Sequence, residues 1–394
     1  MQLKIFDIKS HCTGCGACAS ICPKRALTMV YNDEGFYYPH LNQDLCVDCK
    51  SCEKVCHVLN TEIPTQPSRG YTAYMCKSRD NALVQKSSSG GVFSTLAEYV
   101  LEKGGAVYGA RYDYEQERLE HCSTDNCSLD ELRKSKYIES YTGTIFKSVA
   151  ENLKKGRLTL FCGTPCQLAG LTSYLHIKKI PLDNLIRVRF ICHGVPSNKF
   201  FTEYKHFEEK RYEAKMTRFD FRPKTDGWSS SDWLMEFANG KSNRGLYMHY
   251  YYYYYYYYFQ LNYLLRESCY QCEHLNHELA DFTIADFWGI VFYKPEHNEK
   301  EGLSLVLSHT LKSSGLIDVI KESCAVEQLP LSATDYIYKD SPQKKKLLEG
   351  RNMMMKKVLK DGYMKVAKQT LRTKIIKNKL HAILSNIKHK KLGL

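Results

Sequence analysis

Eight of the seventeen cysteines stand in two runs near the N-terminal end of the chain, and the two runs share one spacing. Each run follows the pattern C-x2-C-x2-C-x3-C. Thiolates at this spacing are typical ligands of cubane iron–sulfur clusters, because three of them converge on one cluster from a single tight loop. The spacing therefore predicts two [4Fe-4S] clusters. The runs are Cys12, Cys15, Cys18 and Cys22, and Cys46, Cys49, Cys52 and Cys56.

The fourth cysteine of each run is expected to serve the other cluster, as in two-cluster ferredoxins. Zinc is the alternative metal, but structural zinc sites usually pair two C-x2-C knuckles that lie far apart in the sequence. Three cysteines within seven residues favour iron. His57 stands where a second proline would complete the pattern, which changes the surroundings of a cluster and not its ligands. The expected ligand sets are Cys12, Cys15, Cys18 and Cys56, and Cys46, Cys49, Cys52 and Cys22.

Four cysteines of the body lie in loops at predicted ends of strands or helices: Cys166, Cys192, Cys269 and Cys272. Four thiolates are the ligands of one further cubane cluster, and we expect these four to hold it. Two alternatives remain open. Cys162 and Cys166 would form a redox-active dithiol at a helix start, or Cys162 and Cys192 would be ordinary buried thiols.

Residues 87–91 read S-S-S-G-G, and the apolar spacing of the following residues predicts a helix. Free amides at such a helix start can hold a phosphate, so the loop contributes candidate cofactor-binding residues. An ordinary N-terminal cap is the alternative. The candidates are Ser89, Gly90 and Gly91.

Residues able to do chemistry also follow three predicted buried strands, at 158–161, 186–191 and 281–285. Thr164 is suited to cap a helix, which places Cys166 in the first turn, where the positive helix end favours a thiolate. His193 is a candidate proton relay because imidazole titrates near neutral pH, and a structural role is the alternative. Asp286 either binds cofactor or substrate or caps a turn. Since loops at strand ends build the sites of α/β sheets, we expect a site here.

The formal net charge of the 394 residues is +13, and the segment from residue 351 onward carries thirteen Lys and Arg and one acid. The rest of the chain is close to neutral, so its charge does not indicate nucleic-acid binding. We recognise no signal peptide and no run of about 18 apolar residues, and a chain so rich in cysteine suits iron–sulfur chemistry in a reducing compartment. We therefore expect a cytoplasmic protein.

The expected fold is an α+β ferredoxin-like domain with two clusters at 1–60, a linker at 61–70 and an α/β body with a mixed sheet. The body falls into an N-terminal part, 71–155, and a C-terminal part, 156–340. A basic helical tail at 341–394 either packs on the body or docks to an acidic surface. Residues 1–8 alternate like a first strand. Nine consecutive tyrosines, Tyr250 to Tyr258, have no amphipathic period and receive no assignment.

The order of the short motifs resembles the coenzyme F420 hydrogenase/dehydrogenase beta-subunit family, in its bacterial form with an N-terminal two-cluster ferredoxin domain. The resemblance covers residues from about 1 to about 340 and leaves the basic tail outside. The motifs are S-S-G-G at 88–91, G-T-P-C-Q at 163–167, C-H-G-V-P at 192–196, F-R-P-K at 221–224, C-x2-C at 269–272 and D-F-W-G at 286–289.

The resemblance implies FAD beside a cubane cluster, because the characterised enzymes of this family are iron–sulfur flavoproteins. Their acceptors include a deazaflavin coenzyme and a pigment, and many bacterial members are similar to proteins found with surface-polysaccharide genes. Arg222 and Lys224 are then candidates for the flavin phosphates or an anionic substrate, with a solvated turn as the alternative. Thr164 joins Ser89, Gly90 and Gly91 as a flavin-binding candidate.

We therefore expect an oxidoreductase that passes electrons between reduced ferredoxin, or another carrier, and a small organic acceptor. A flavin suits this junction because it exchanges two electrons with the acceptor and single electrons with clusters. A non-catalytic electron-transfer subunit that feeds a separate enzyme is the alternative. A homo-oligomer is compatible with the sequence.

Overall fold

A computed structural model of the chain describes residues 3–60, 70–224, 227–228, 233–245, 254–274, 279–294, 300–335 and 347–370. The predicted linker lies outside these ranges except for Gly70, as do residues 371–394 of the predicted tail. Among the helices that these ranges form, none combines the length and the hydropathy that a transmembrane segment needs.

The strands form three sheets, of two, three and eight strands. In chain order they are β1 (Leu27–Tyr31), β2 (Tyr37–Leu41), β3 (Thr72–Ser78), β4 (Ala106–Asp113), β5 (Arg118–Ser123), β6 (Thr159–Gly163), β7 (Leu185–Phe190), β8 (Met216–Asp220), β9 (Trp233–Phe237), β10 (Ser242–Gly245), β11 (Phe282–Asp286), β12 (Ser304–Ser308) and β13 (Cys324–Leu329).

The α-helices are mostly short, and those of ten residues or more pack on the eight-stranded sheet or on the three-stranded one. They are α1 (Ala17–Ile21), α2 (Ser51–Lys54), α3 (Asn81–Gln85), α4 (Val92–Glu102), α5 (Leu129–Leu132), α6 (Ile145–Lys154), α7 (Pro165–Ile177), α8 (Asn198–Tyr212), α9 (Tyr254–Gln260), α10 (Ile290–Tyr293), α11 (Leu311–Ser323) and α12 (Leu348–Asp361). Residues 363–370 are also helical.

The ferredoxin-like unit contains the antiparallel pair β1 and β2. One cysteine loop and the short helix α1 precede this pair in the sequence, and the other loop and the short helix α2 follow it. The strand predicted at residues 1–8 is wrong: Lys4–Phe6 form a 3-10 turn. The N–H of Phe6 donates to the carbonyl of Leu3 at 3.0 Å, so the backbone bonds locally and not across a sheet. Leu3 and Ile5 still point inward and are buried.

The body is organised on a mixed sheet with strand order β13-β3-β12-β11-β7-β6-β4-β5. The four central strands β11, β7, β6 and β4 run parallel, and antiparallel strands flank them on both sides. This agrees with the predicted α/β body. Both predicted parts of the body contribute strands, so residues 71–155 and 156–340 build the same sheet.

The ferredoxin-like unit and the body share one hydrophobic core. Leu3, Ile21 and Val55 pack together with Phe146 of α6 and Leu171 of α7. The Ser173 hydroxyl also donates to the carbonyl of Val55 at 2.7 Å. The cluster loops are therefore positioned on the body by a packed apolar interface.

Part of the tyrosine tract and the start of the tail pack into a second core, next to the sheet β8–β9–β10. Tyr258 is fully buried and donates its hydroxyl hydrogen bond to the carbonyl of Val366 at 3.1 Å. Met355, Val358 and Tyr363 of the tail are buried in the same core. Within 347–370 the chain thus packs on its own body.

Candidate functional site

The structure brings the first three cysteines of the first run together with the last cysteine of the second run. Burial raises the pKa of Cys15 to about 12, and repulsion from Cys56 and Cys12 adds to the rise. The pKa of Cys18 is raised well above the usual range by burial and by the same neighbouring thiols. We refer to Cys12, Cys15, Cys18 and Cys56 as the inner cysteine set. Its composition is the one expected for one cubane cluster.

The remaining cysteines of the two runs line one surface cavity. We refer to Cys22, Cys46, Cys49 and Cys52 as the outer cysteine set. Cys49 is exposed, and its thiol donates a hydrogen bond to the Ser51 hydroxyl at 3.4 Å. The hydroxyl and the backbone amide of Ser51 lower the pKa of Cys49. Four sulfurs around a cavity with a stabilised thiolate fit a metal cluster.

A third set of thiols converges in the body, and we refer to Cys166, Cys192, Cys269 and Cys272 as the body cysteine set. Burial raises the pKa of Cys166 well above the usual range, and repulsion from the three other thiols adds to the rise. The pKa of Cys269 is raised to about 12 by burial and by Cys192. Close approach is also seen in the backbone, where a Cβ on Gly194 would lie 3.4 Å from that of Cys269.

The parallel register explains why distant residues meet at this edge. Val188 of β7 is level with Phe282 of β11, and two residues later Phe190 is level with Ile284. Cys192 and Asp286 therefore leave neighbouring strands at the same edge of the sheet. β6 runs parallel to β7 on its other side, so the first turn of α7, with Cys166, lies at this edge too. Carboxyl ends of parallel strands are where α/β proteins place their sites.

Cys162 is separate from the body cysteine set. It lies on β6, and burial raises the pKa of its thiol to about 12. The charged group that acts on it is Lys136, not a second thiol. This environment does not favour the dithiol interpretation, in which Cys162 would act with Cys166.

Arg222 and Asp286 form a partly buried assembly with two tryptophans. Arg222 pairs with the Asp286 carboxylate and donates to the carbonyl of Trp228 at 3.0 Å. The indole of Trp228 donates to Asp286 at 2.9 Å and stacks on Trp288 with the ring centroids 4.3 Å apart. Trp288 remains 43 % exposed. The assembly thus presents an aromatic surface at the sheet edge that carries the body cysteine set.

The S-S-G-G loop is fastened to β12 and leads into α4. The Ser89 hydroxyl donates to the carbonyl of Leu303 at 2.7 Å, and the N–H of Gly90 donates to the Ser304 hydroxyl at 2.8 Å. Gly91 caps α4 with φ +98° and supplies no side-chain cap. No side chain caps the first turn of α4, and Val92 and Ser94 of this turn are buried. Phosphate binding at this helix start stays a prediction.

Two further flavin-binding candidates, Lys224 and Thr164, make hydrogen bonds within the protein. The Lys224 ammonium donates to the carbonyls of Val84 and Ser89 at 2.8 and 2.6 Å, which holds its charge beside the S-S-G-G loop. Thr164 caps α7 reciprocally with Gln167. Its hydroxyl also lies 3.2 Å from the Cys166 sulfur.

His193 lies between the body cysteine set and the tyrosine tract. Its ring packs edge-on against Phe259 with the centroids 5.0 Å apart. Its proposed role as a proton relay rests on its position next to Cys192. Asp286, the second catalytic candidate, is engaged by Arg222 and Trp228.

A segment that the sequence analysis did not identify, residues 134–137, lies beside the S-S-G-G loop. The N–H of Ser135 donates to the Ser88 hydroxyl at 2.7 Å. Burial lowers the pKa of Lys136 to about 8. Tyr137 interacts with Arg222 and stacks on Phe259. Two lysines around one serine, followed by tyrosine, were the available signal in the sequence.

Two family models match the chain, and each covers one of the units described above. Residues 11–60 match a 4Fe-4S dicluster domain. Residues 156–333 match the model of the C-terminal part of the beta subunit of coenzyme F420 hydrogenase/dehydrogenase. Both ferredoxin-type cysteine runs fall in the first match, and the whole body cysteine set falls in the second.

Two relatives and one solved structure are similar to the chain. The F subunit of the F420H2 dehydrogenase from Methanosarcina mazei is 26% identical over 319 residues, which are 76% of this chain and 84% of the relative. An uncharacterized ferredoxin of Methanocaldococcus jannaschii is 34% identical over 56 residues, 14% of this chain and 71% of the relative. The F420-reducing [NiFe] hydrogenase complex from Methanosarcina barkeri contains a chain with a TM-score of 0.44 and 15% identity, covering 75% of this chain and 94% of that one.

The two matches follow one another along the chain in the order of the two units, with the 4Fe-4S dicluster domain first. The model that matches residues 156–333 and the Methanosarcina mazei relative both describe subunits of oxidoreductases. The chain therefore carries a 4Fe-4S dicluster domain followed by the C-terminal domain of the coenzyme F420 hydrogenase/dehydrogenase beta-subunit family.

Proposed function

We propose that this protein is an iron–sulfur flavoprotein oxidoreductase that passes electrons between a ferredoxin-type carrier and an organic acceptor. The observation that supports this proposal is that the body cysteine set converges at the same sheet edge as the assembly of Arg222, Asp286 and Trp288. A cluster and a cofactor site side by side are what one-electron transfer to a flavin requires.

The residues of the body would bind FAD at its two ends. The amides at the start of α4, with the Lys224 charge beside them, would hold the phosphates of the cofactor. Trp288, supported by Trp228, would cover an aromatic ring system, and stacking of this kind favours flat ligands. FAD, when bound, supplies the exchange between paired and single electrons.

Arg222, Lys136 and His193 would set the charge and the proton supply of this site. Arg222 holds Asp286 in place, so its half-buried carboxylate is oriented and does not move freely. Lys136 has its pKa lowered to about 8 by burial, which brings it within reach of proton exchange at neutral pH. His193 follows Cys192 and would relay protons between solvent and acceptor.

Anaerobic purification and cofactor analysis test this proposal. The expected result is about twelve iron atoms per chain, from three cubane clusters, and one extractable FAD. Reduced ferredoxin should bleach the flavin band, and a small quinone or dye acceptor should reoxidise it. Iron without any FAD and without turnover would identify a non-catalytic electron-transfer subunit, and zinc in place of iron would reject both.

The non-catalytic alternative is favoured by one observation, the exposure of the outer cysteine set at Cys49. An exposed cluster suits transfer to a separate protein. Such a subunit would pass electrons between carriers at a normal rate in the absence of flavin. Measuring that transfer in flavin-depleted protein separates the two functions.

A further inference from the structure

Arg266 links the ferredoxin-like unit to the body cysteine set. Its side chain is 1% exposed, and its Nε donates to the carbonyl of Cys12 at 2.7 Å. Its own carbonyl accepts a hydrogen bond from the N–H of Cys269 at 3.0 Å. One residue therefore contacts a ligand loop of the inner cysteine set and a ligand loop of the body cysteine set.

The charge of Arg266 is balanced by Glu139, and both groups lie against Gly14 in the loop between Cys12 and Cys15. Nη1 of Arg266 donates to Glu139 Oε1 at 2.5 Å, and the N–H of Tyr37 donates to the other carboxylate oxygen at 3.0 Å. The guanidinium also lies over the ring of Tyr38, 4.2 Å from its centroid. Nη2 is buried and has no hydrogen-bond partner within the described part of the chain.

Of the two groups in this pair, Arg266 makes the hydrogen bonds to the cysteines of the ligand loops, through its Nε to Cys12 and through its carbonyl to Cys269. The guanidinium is close enough to the thiols of Cys12 and Cys269 to interact electrostatically with both. The groups that act on Glu139 are Arg266 and the Tyr37 amide. A buried charge acts strongly because the interior screens it weakly.

Two other contacts place the same pair of cysteine sets side by side. The ring of His57, next to Cys56, lies 4.6 Å from the ring of His274, two residues after Cys272. Gly170 of α7, the helix that carries Cys166, lies against Cys15. The outer cysteine set, in contrast, lines a surface cavity.

We propose that Arg266 is the positioning residue that couples the cluster on the inner cysteine set to the cluster on the body cysteine set. This rests on the proposed function in one respect, the presence of a cluster on the body set. Reduction adds one negative charge to a cluster, so a guanidinium facing both clusters favours their reduced states. Electrons would enter at the exposed outer set, pass to the inner set and continue past Arg266 to the body set.

Anaerobic redox titration of the full chain, followed by electron paramagnetic resonance, tests the electrostatic role. The variant Arg266→Gln combined with Glu139→Gln removes the pair and leaves no unpaired buried charge. It should lower the equilibrium constant for reduction of the inner and body clusters at least about tenfold. For one electron, this corresponds to a reduction potential about 59 mV more negative. The outer cluster should not shift. Glu139→Gln alone should shift the same two clusters in the opposite direction.

Arg187→Gln combined with Asp281→Asn is the matched control, because Arg187 and Asp281 are an equally buried pair in the sheet. It should leave all three potentials unchanged. Arg266→Lys keeps the charge and loses the fork that reaches Cys12, so potentials should remain within a few-fold of the original while transfer from inner to body cluster slows.

Equal potentials in the Gln/Gln variant and the original chain would overturn the proposal. The variant's iron content and circular dichroism show whether it is folded and loaded. If iron analysis shows that the body cysteine set of the original chain holds no cluster, the proposed function is contradicted. The inner cluster then still reports whether Arg266 acts on it.

Discussion

Gly170 lies directly against Cys15: a Cβ on Gly170 would be 2.7 Å from the Cys15 sulfur and 3.0 Å from its Cβ. The helix α7 can approach the cluster loop only because this position has no side chain. Since the first turn of the same helix carries Cys166, this contact joins the inner and body cysteine sets through one rigid element.

Gly170→Ala should therefore displace the Cys15 loop, although alanine favours a helix. We expect loss of up to about four iron atoms per chain, through loss of the inner cluster. Gly315→Ala is the control, because Gly315 lies in α11 with open space around the added methyl group. It should stabilise the chain by about 0.5–1 kcal/mol and keep all iron. Iron analysis and thermal unfolding decide the matter, and an unchanged iron content in Gly170→Ala would contradict the expectation.

Cys166→Ser should lower the iron content by about four atoms per chain, because a cubane cluster is lost as a whole when one of four ligands is removed. Cys162→Ser, on the strand that precedes α7, should keep all iron. The measurement is iron and sulfide analysis of anaerobically purified protein. Full iron in both variants together with loss of turnover in both would instead support a dithiol.

Trp288→Ala should weaken FAD binding about tenfold, equivalent to about 1.4 kcal/mol, and leave the iron content unchanged. The reason is the loss of an aromatic surface that Trp228 and Arg222 support from behind. Phe292→Ala is the control, since Phe292 is 85% exposed a few residues further along. Flavin fluorescence titration of the deflavinated protein measures the effect. If Trp288→Ala and Phe292→Ala bound FAD with equal affinity, Trp288 would not be part of the flavin site.

His121 should make folding sensitive to acid. Its ring is buried, and in the neutral form it accepts from the Ser140 hydroxyl at 2.7 Å and donates to the carbonyl of Cys162 at 3.1 Å. Burial lowers its pKa from 6.5 to about 4. Between pH 6.5 and 4, the His121 ring is therefore protonated in the unfolded chain and neutral in the folded chain. The free energy of unfolding should consequently fall across this window as the pH decreases, by about 3 kcal/mol from this residue.

Urea unfolding at several pH values, compared between the original chain and His121→Gln, isolates this contribution. Gln cannot titrate and can still donate to the Cys162 carbonyl, so the variant should lose less stability between pH 6.5 and 4. The comparison concerns the pH dependence and not the absolute stability of either protein. Parallel curves would show that His121 does not titrate in this range.

How much of the site could be predicted from the sequence depends on whether the ligands of a cysteine set are close together in the sequence or far apart. The two ferredoxin-type runs were identifiable because three ligands of each set lie within seven residues, and a local loop is sufficient to bring them together. The α/β body was likewise evident from short apolar segments that end in polar residues. The first strand was predicted wrongly, since alternation over a few residues also suits a buried 3-10 turn such as Lys4–Phe6.

Residues far apart in the sequence depend on the path of the chain. Glu139 and Arg266 are 127 residues apart in the sequence, and no local pattern predicts their contact. The tyrosine tract has no periodicity, so only the packing of Tyr258 against the helical residues around Val366 shows where it lies.

Cysteine spacing by itself thus determined which metal chemistry this chain is built for, because the ligand loops are local. Only the tertiary structure decided which cysteine set adjoins which and what charge lies between them. Parallel strand register brings Cys166 and Cys192 to one edge, and the close approach of α7 at Gly170 places the inner set beside them. Both arise from packing between segments that share no local sequence.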